Sequence, residues 1–193
     1  MKRFTRAELL AHENGTVDDI IGANTKLLFV GVNPGLWTAA VNAPYAYPGN
    51  RFWPALERSG LVQRHFDASH GLSAADRADF VAAGLGSTNF VNRATIRADE
   101  LSAHELRAGA ARLDEVVARV RPRVVAVLGV MSYRTAYRRP KARMGLQTDR
   151  LAGAELWVLP NPSGLNAHET IDSIAAKMRE AGVAAGLLSA AQE

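Results

Sequence analysis

Leu27-Leu28-Phe29-Val30-Gly31-Val32-Asn33-Pro34-Gly35 is an apolar run that halts abruptly on Asn-Pro-Gly. Runs of this length, rich in β-branched and aromatic residues, read as a strand buried on both faces. Pro34 has no N–H for a sheet ladder, so the strand must finish at or just before it. The residue preceding a proline is pushed to an extended conformation, which should carry Asn33 out of the strand's carboxyl end. In open α/β sheets that end is where ligands bind. A neutral amide beside a glycine is therefore the first candidate for chemistry.

Two further runs match this strand. Val124-Val125-Ala126-Val127-Leu128-Gly129 is buried in type, and Leu156-Trp157-Val158-Leu159-Pro160 is again stopped by proline. Between them lie helical patterns. Thr5-Arg6-Ala7-Glu8 and Ser102-Ala103-His104-Glu105 are capping boxes, and behind the second Leu106, Ala110, Leu113, Val117 and Val120 recur at helical spacing. Asn50 is an expected N-cap for a helix over 51–59, Ser73 starts another towards Gly84, and a last helix runs from about Thr170 with Ile171, Ile174, Met178 and Ala181 inward. Leu36 to Asn50 reads as one long irregular passage. Strands alternating with amphipathic helices predict an α/β fold, a three-layer α/β/α sandwich around a central, mostly parallel sheet. Residues 1–15 are expected to form an N-terminal appendage and residues 16–193 a single domain.

Composition narrows the chemistry. The 193 residues are 48% hydrophobic and 22% charged, as in an ordinary globular domain. There is no cysteine, which removes disulfides, thiolate-held metals and a cysteine nucleophile. The net charge of +4 is compatible with a polyanionic partner without establishing one. No run approaches membrane-spanning length and no apolar segment follows Met1-Lys2-Arg3, so a cytoplasmic location with no membrane partner is expected. The five histidines are scattered, and no P-loop, G-x-S-x-G elbow or H-E-x-x-H occurs. Metal-free, thiol-free chemistry around amides is what remains.

Asn33-Pro34-Gly35 has a counterpart in Asn161-Pro162-Ser163-Gly164-Leu165-Asn166. Each is a strand ending in a polar-proline-small turn, and in a parallel sheet both turns lie on one edge. Such sequences are also common turn formers, so a crevice and a pair of plain turns both stay open on this pattern alone. Tyr45 and Tyr47 suit either a planar ligand or a lid over the core. The basic run Arg134, Arg138, Arg139, Lys141 and Arg143 reads first as a solvated helix end and loop.

Taken together, Gly31-Val32-Asn33-Pro34-Gly35, Pro48-Gly49-Asn50-Arg51-Phe52-Trp53, Thr88-Asn89-Phe90-Val91 and Asn161-Pro162-Ser163-Gly164-Leu165 resemble the mismatch-specific uracil/thymine-DNA glycosylase family, the Mug branch of the uracil-DNA glycosylase superfamily. The motifs occur in that family's order and span nearly the whole chain. The resemblance implies a monofunctional enzyme that flips a uracil, or a thymine or ethenocytosine, out of double-stranded DNA at a G·U or G·T mismatch and hydrolyses its N-glycosidic bond. It implies no cofactor, no metal and a monomer.

By the same resemblance, Asn33 orients the attacking water. Val32, Gly35, Tyr45, Asn89 and Asn161 line the base pocket, with Tyr45 stacking on the base and Gly35 leaving room at the pyrimidine 5-position. Ser163, Gly164, Leu165 and Asn166 form the wedge and contact the opposite base. The family pattern continues with serine and arginine where Asn166 and Ala167 stand here, so the wedge lacks a long cation. An amide at Asn89 could widen activity to A·U or single-stranded uracil. The other readings are a non-catalytic mismatch or single-strand binder, and a hydrolase of small planar substrates such as free nucleosides.

Overall fold

The computed structural model describes residues 4–190; Met1, Lys2 and Arg3, the start of the expected appendage, lie outside the described residues. Five strands form one sheet: β1 (Leu27–Gly31), β2 (Leu85–Asn89), β3 (Val124–Leu128), β4 (Gly145–Leu151) and β5 (Ala154–Leu159). Their order is β2-β1-β3-β5-β4. The first four in that order run parallel, and β4 pairs antiparallel with β5 at the edge.

Alternation along β1 explains the layers, since successive side chains of a strand point to opposite faces. Leu27 and Phe29 join Val124 and Ala126 in a core covered by α3 (Phe52–Arg58), α4 (Ala74–Ala82) and α7 (Ile171–Ala184). Leu28 and Val30 join Val125, Val127, Leu156 and Val158 in a second core covered by α5 (Ala103–Val120) and α6 (Val130–Ala136). Helices thus sit on both faces, as the continuous apolar runs require.

Several elements differ from the sequence expectation. The passage after Gly35 opens with a helix, α2 (Leu36–Val41), which Asn42 closes in the left-handed conformation at φ 47° before Ala43-Pro44. Leucine and alanine are good helix formers, and only residues beyond Asn42 stay irregular. Asn50 does bond the start of α3, its Oδ1 accepting from Phe52 N at 2.9 Å, but Arg51 occupies the N-cap position. In α7 the first turn faces solvent, with Asp172 paired to Arg58 at 3.2 Å; Ile171 is exposed and the inward stripe begins at Ile174.

Two strands were not anticipated. In β2, Leu-Gly-Ser-Thr-Asn has no apolar run yet is buried throughout. It is flanked by β1 in full register and by Ile20, which exchanges backbone bonds with Ser87. β4 is mostly exposed and turns into β5 through Ala152 and Gly153, both at positive φ, a tight hairpin without the usual Asn-Gly cue. Residues 6–10 form α1 behind the Thr5–Glu8 capping box, and Phe4 packs edge-on against Trp37 of α2 at 4.9 Å.

Candidate active site

β1 ends at Gly31, so Asn33 stands just past the sheet's carboxyl edge. Its Nδ2 donates to three acceptors: the Pro34 carbonyl at 3.1 Å, the Arg93 carbonyl at 2.9 Å and Thr95 Oγ1 at 2.8 Å. Thr95, only 2% exposed, sends its own hydroxyl proton to the Arg97 carbonyl at 2.8 Å and must therefore accept from Asn33. Two carbonyls and a committed hydroxyl admit only the NH₂ end, which fixes the amide orientation. Oδ1 faces the other way, and no donor among the described residues engages it. The result is a rigid, neutral acceptor at a strand end, able to orient a water but too weakly basic to deprotonate one.

Beside it, the missing side chain of Gly31 organises a pocket. A Cβ there would stand 2.4 Å from Asn89 Oδ1 and 3.4 Å from both Cε1 and the hydroxyl oxygen of Tyr45. Gly31 thereby lets the Asn89 amide and the Tyr45 ring approach the same point. Asn89 is 6% exposed, and its side-chain amide has no hydrogen bond among the described residues. Its backbone carbonyl accepts from Arg112 of α5, which locks the end of β2. Tyr45, at φ 56°, stacks one face on Phe52 with centroids 3.9 Å apart, and burial pushes its hydroxyl pKa up, so it stays neutral. At Gly35 the opposite holds: a Cβ would meet nothing within 4 Å, so that position borders open space.

The second Asn-Pro corner follows β5. β3 lies between β1 and β5, so the corners stand about 10 Å apart by strand spacing. Asn161 Oδ1 accepts from Ser163 N at 3.0 Å, and its carbonyl accepts from Asn166 Nδ2 at 3.0 Å. Both bonds shape the loop, and the first engages that amide oxygen. The Arg51 guanidinium reaches beneath the loop to the carbonyls of Ser163, Asn166 and Glu169. Arg51 N also donates to the Pro162 carbonyl at 2.9 Å. Gly164 packs so closely on Gly49 that a Cβ would lie 2.6 Å from its carbonyl oxygen. At the tip Leu165 is 94% exposed. An apolar side chain thus stands in water at the tip of a braced loop.

A family model described as the uracil DNA glycosylase superfamily matches residues 19–181. The chain belongs to the uracil-DNA glycosylase superfamily. Among solved structures, the chain is similar to the solution NMR structure of a candidate uracil DNA glycosylase from Methanosarcina acetivorans. The identity is 18%, the TM-score 0.59, and the match covers 86% of this chain and 97% of that one; likeness at that identity speaks for the fold alone.

Superfamily membership implies a hydrolase acting on the N-glycosidic bond of uracil in DNA. Of the residues singled out in the sequence, Asn33, Tyr45 and Asn89 gather around the carboxyl ends of β1 and β2, while Ser163 to Asn166 form the separate braced loop after β5. Val32 lies beside the segment that follows β2, its carbonyl accepting from Val91 N at 3.0 Å. Sequence reasoning missed Thr95, Arg93 and Gly31 as contributors. The available signal was the polar side chains of Asn89, Asn92, Arg93 and Thr95 set among apolar Phe90, Val91 and Ala94 just after the Asn89 motif; of these four, Asn89 and Thr95 are buried. Arg51, which stands at the N-cap of α3, is also the brace of the second loop. No helix among the described residues is long and apolar enough to cross a membrane.

Proposed function

We propose that this superfamily member is a monofunctional glycosylase that excises uracil mispaired with guanine from double-stranded DNA, with thymine and ethenocytosine as further substrates. The observation that carries this reading is the Asn33 amide, pinned through Nδ2 with Oδ1 free at the carboxyl end of β1. Leu165 enters the duplex where the flipped base has left, and the backbone of residues 163–166 meets the opposite guanine. The base stacks on the exposed side of Tyr45, whose other face rests on Phe52. Oδ1 of Asn33 holds water against the sugar C1′ as the bond to the base breaks.

Because an amide is a poor base, bond breaking runs ahead of water attack, and the sugar acquires oxocarbenium character while uracil leaves as an anion. Positioning and electrostatics supply the rate. Gly35, bordered by open space, admits a 5-methyl group. Among the described residues no lysine accompanies Asn33: Lys26 precedes β1 at the opposite end of the sheet, Lys177 lies in α7 and Lys141 in the α6–β4 connection. A Schiff-base strand cleavage therefore has no nucleophile at this site.

A broader specificity, including A·U and single-stranded uracil, is favoured by one feature. The unengaged amide of Asn89 beside Gly31 suits the polar edge of uracil whatever base lies opposite. Excision gels on G·U, G·T, A·U and single-stranded uracil oligonucleotides decide between the two. Product confined to the mismatches supports the narrow reading, equal product on all uracil substrates the broad one. No abasic product from any substrate would overturn both.

A further inference from the structure

On the face of the sheet covered by α5 and α6, the connection between α6 and β4 forms a groove of about 470 Å³ lined by Tyr133, Arg138, Lys141, Gln147 and Thr148 among others. A neighbouring lobe of about 330 Å³ adds Asp114 and Tyr137, and Tyr133, Arg139 and Asp149 line both. Each volume is within the range of small-ligand sites.

Its rim is built. Arg134 Nε and Nη2 both donate to the Ala142 carbonyl, at 2.9 and 2.7 Å, and Arg139 pairs with Asp149 at 2.6 Å. Tyr133 forms the floor. It is 1% exposed, and its hydroxyl has no hydrogen-bond partner among the described residues. Among all the described residues the one sealed side-chain polar atom without a partner is Arg51 Nε, far from this groove in the loop brace, so the Tyr133 hydroxyl still touches solvent, through the groove it lines. Arg138 and Lys141 carry no acidic partner among the described residues. At the far end Asp114 accepts from the Tyr137 hydroxyl at 3.4 Å.

We propose that this groove binds a small phosphate-bearing ligand of mononucleotide size, with its phosphate on Arg138 and Lys141. The Tyr133 hydroxyl bonds the middle of the ligand, and Asp114 accepts from an amine or ring N–H at its other end. Arg150 also lines the second lobe but is paired with Glu155 at 3.6 Å, so the cations without an acidic partner stand at one end and the Asp114 carboxylate at the other, matching a molecule that is anionic at one end and hydrogen-bond donating at the other. The site does not depend on the glycosylase reading, since it shares no residue with the Asn33 crevice.

The test titrates the full chain with adenosine 5′-monophosphate, adenosine and inorganic phosphate, following backbone amide NMR shifts. A purine probe avoids a pocket shaped for uracil. The monophosphate is expected to shift the amides of residues 138, 139, 141, 142 and 147–149 and to bind more tightly than phosphate or adenosine. Arg138→Ala with Lys141→Ala, both surface changes that leave the cores intact, should weaken it by about tenfold or more. Tyr133→Phe, which keeps the buried ring, should weaken it severalfold. Shifts confined to the Asn33 crevice, adenosine binding as well as its monophosphate, or unchanged affinity in the double variant would each overturn the proposal. So would a double variant that loses affinity for duplex DNA alone, which would make the groove a DNA-backbone contact.

Discussion

Arg51 Nη2 donates to the carbonyl of Asn166 at 2.7 Å across 115 residues of chain, tying the start of α3 to the loop that carries Leu165. The same guanidinium bonds the carbonyls of Ser163 and Glu169. One planar fork therefore holds three points of a loop whose tip is an unprotected leucine, a geometry lysine cannot reproduce.

Arg51→Lys should accordingly behave almost as badly as Arg51→Ala. Each leaves loop carbonyls without their charged donor, at a cost of about 2 kcal/mol or more in stability. Thermal melts check that part. Single-turnover excision on a G·U duplex should fall at least tenfold in both, with a smaller loss on single-stranded uracil, where no stacked hole needs filling. An equal loss on both substrates would show that Arg51 supports the fold and not the wedge.

Asn33→Ala should keep mismatch binding and lose excision by about 10²- to 10³-fold, the usual effect of deleting one positioned polar group at a reacting centre. Asn33→Asp is the more informative change. One carboxylate oxygen would replace Nδ2 and face the carbonyls of Pro34 and Arg93 with no donor between them, which raises the acid's pKa. A group whose folded pKa is raised is tolerated while protonated and costs stability once pH passes its unfolded value near 4. The Asn33→Asp variant should therefore melt progressively lower, relative to wild type, as pH rises from about 4 to 7. A parallel pair of melting curves would contradict the orientation assigned to the amide.

The Arg93 carbonyl that pins Asn33 belongs to a residue ion-paired with Glu105 at 2.8 Å. Backbone N–H donation from Ser102, then the Arg93 guanidinium, then the Ser102 hydroxyl pull the Glu105 pKa down to about 2. A depressed carboxyl pKa contributes stability above the unfolded value, near 4.3, and loses it as pH falls through the folded one. Wild type should lose melting temperature across about pH 4 to 2, and Glu105→Gln should be less stable near neutrality with a flatter acid limb. Melts across that range check it; identical acid limbs would remove Glu105 from the account.

Gly35→Ala adds a methyl to open space and should cost under about 1 kcal/mol, the modest penalty of a poorer helix N-cap. Gly35→Tyr should fill that space and lower thymine excision far more than uracil excision. Gly31→Ala, by contrast, sets a carbon 2.4 Å from Asn89 Oδ1 and must displace that amide. Comparing G·U, A·U and single-stranded uracil in Gly31→Ala and Asn89→Ala separates the two effects. If both variants keep wild-type substrate ratios, Asn89 has no part in base choice.

The sequence alone determined the layers. Apolar runs at β1, β3 and β5 can be buried on both faces only in a parallel sheet covered by helices, and the prolines after β1 and β5 placed two Asn-Pro corners on one edge. Two capping boxes marked helix starts because their partners lie three residues apart, within reach of local reading. Tertiary structure alone decided the rest. β2 is a strand without an apolar pattern because neighbours on both sides bury its small polar residues, and β4 is an edge whose pairing depends on β5. Which end of the Asn33 amide faces outward depends on Arg93 and Thr95, some 60 residues away, and the shape of the Leu165 loop depends on Arg51 more than 110 residues before it. Local pattern records what a residue does to its own backbone. The direction of an amide and the bracing of a loop come from partners that only the folded chain brings within hydrogen-bond range.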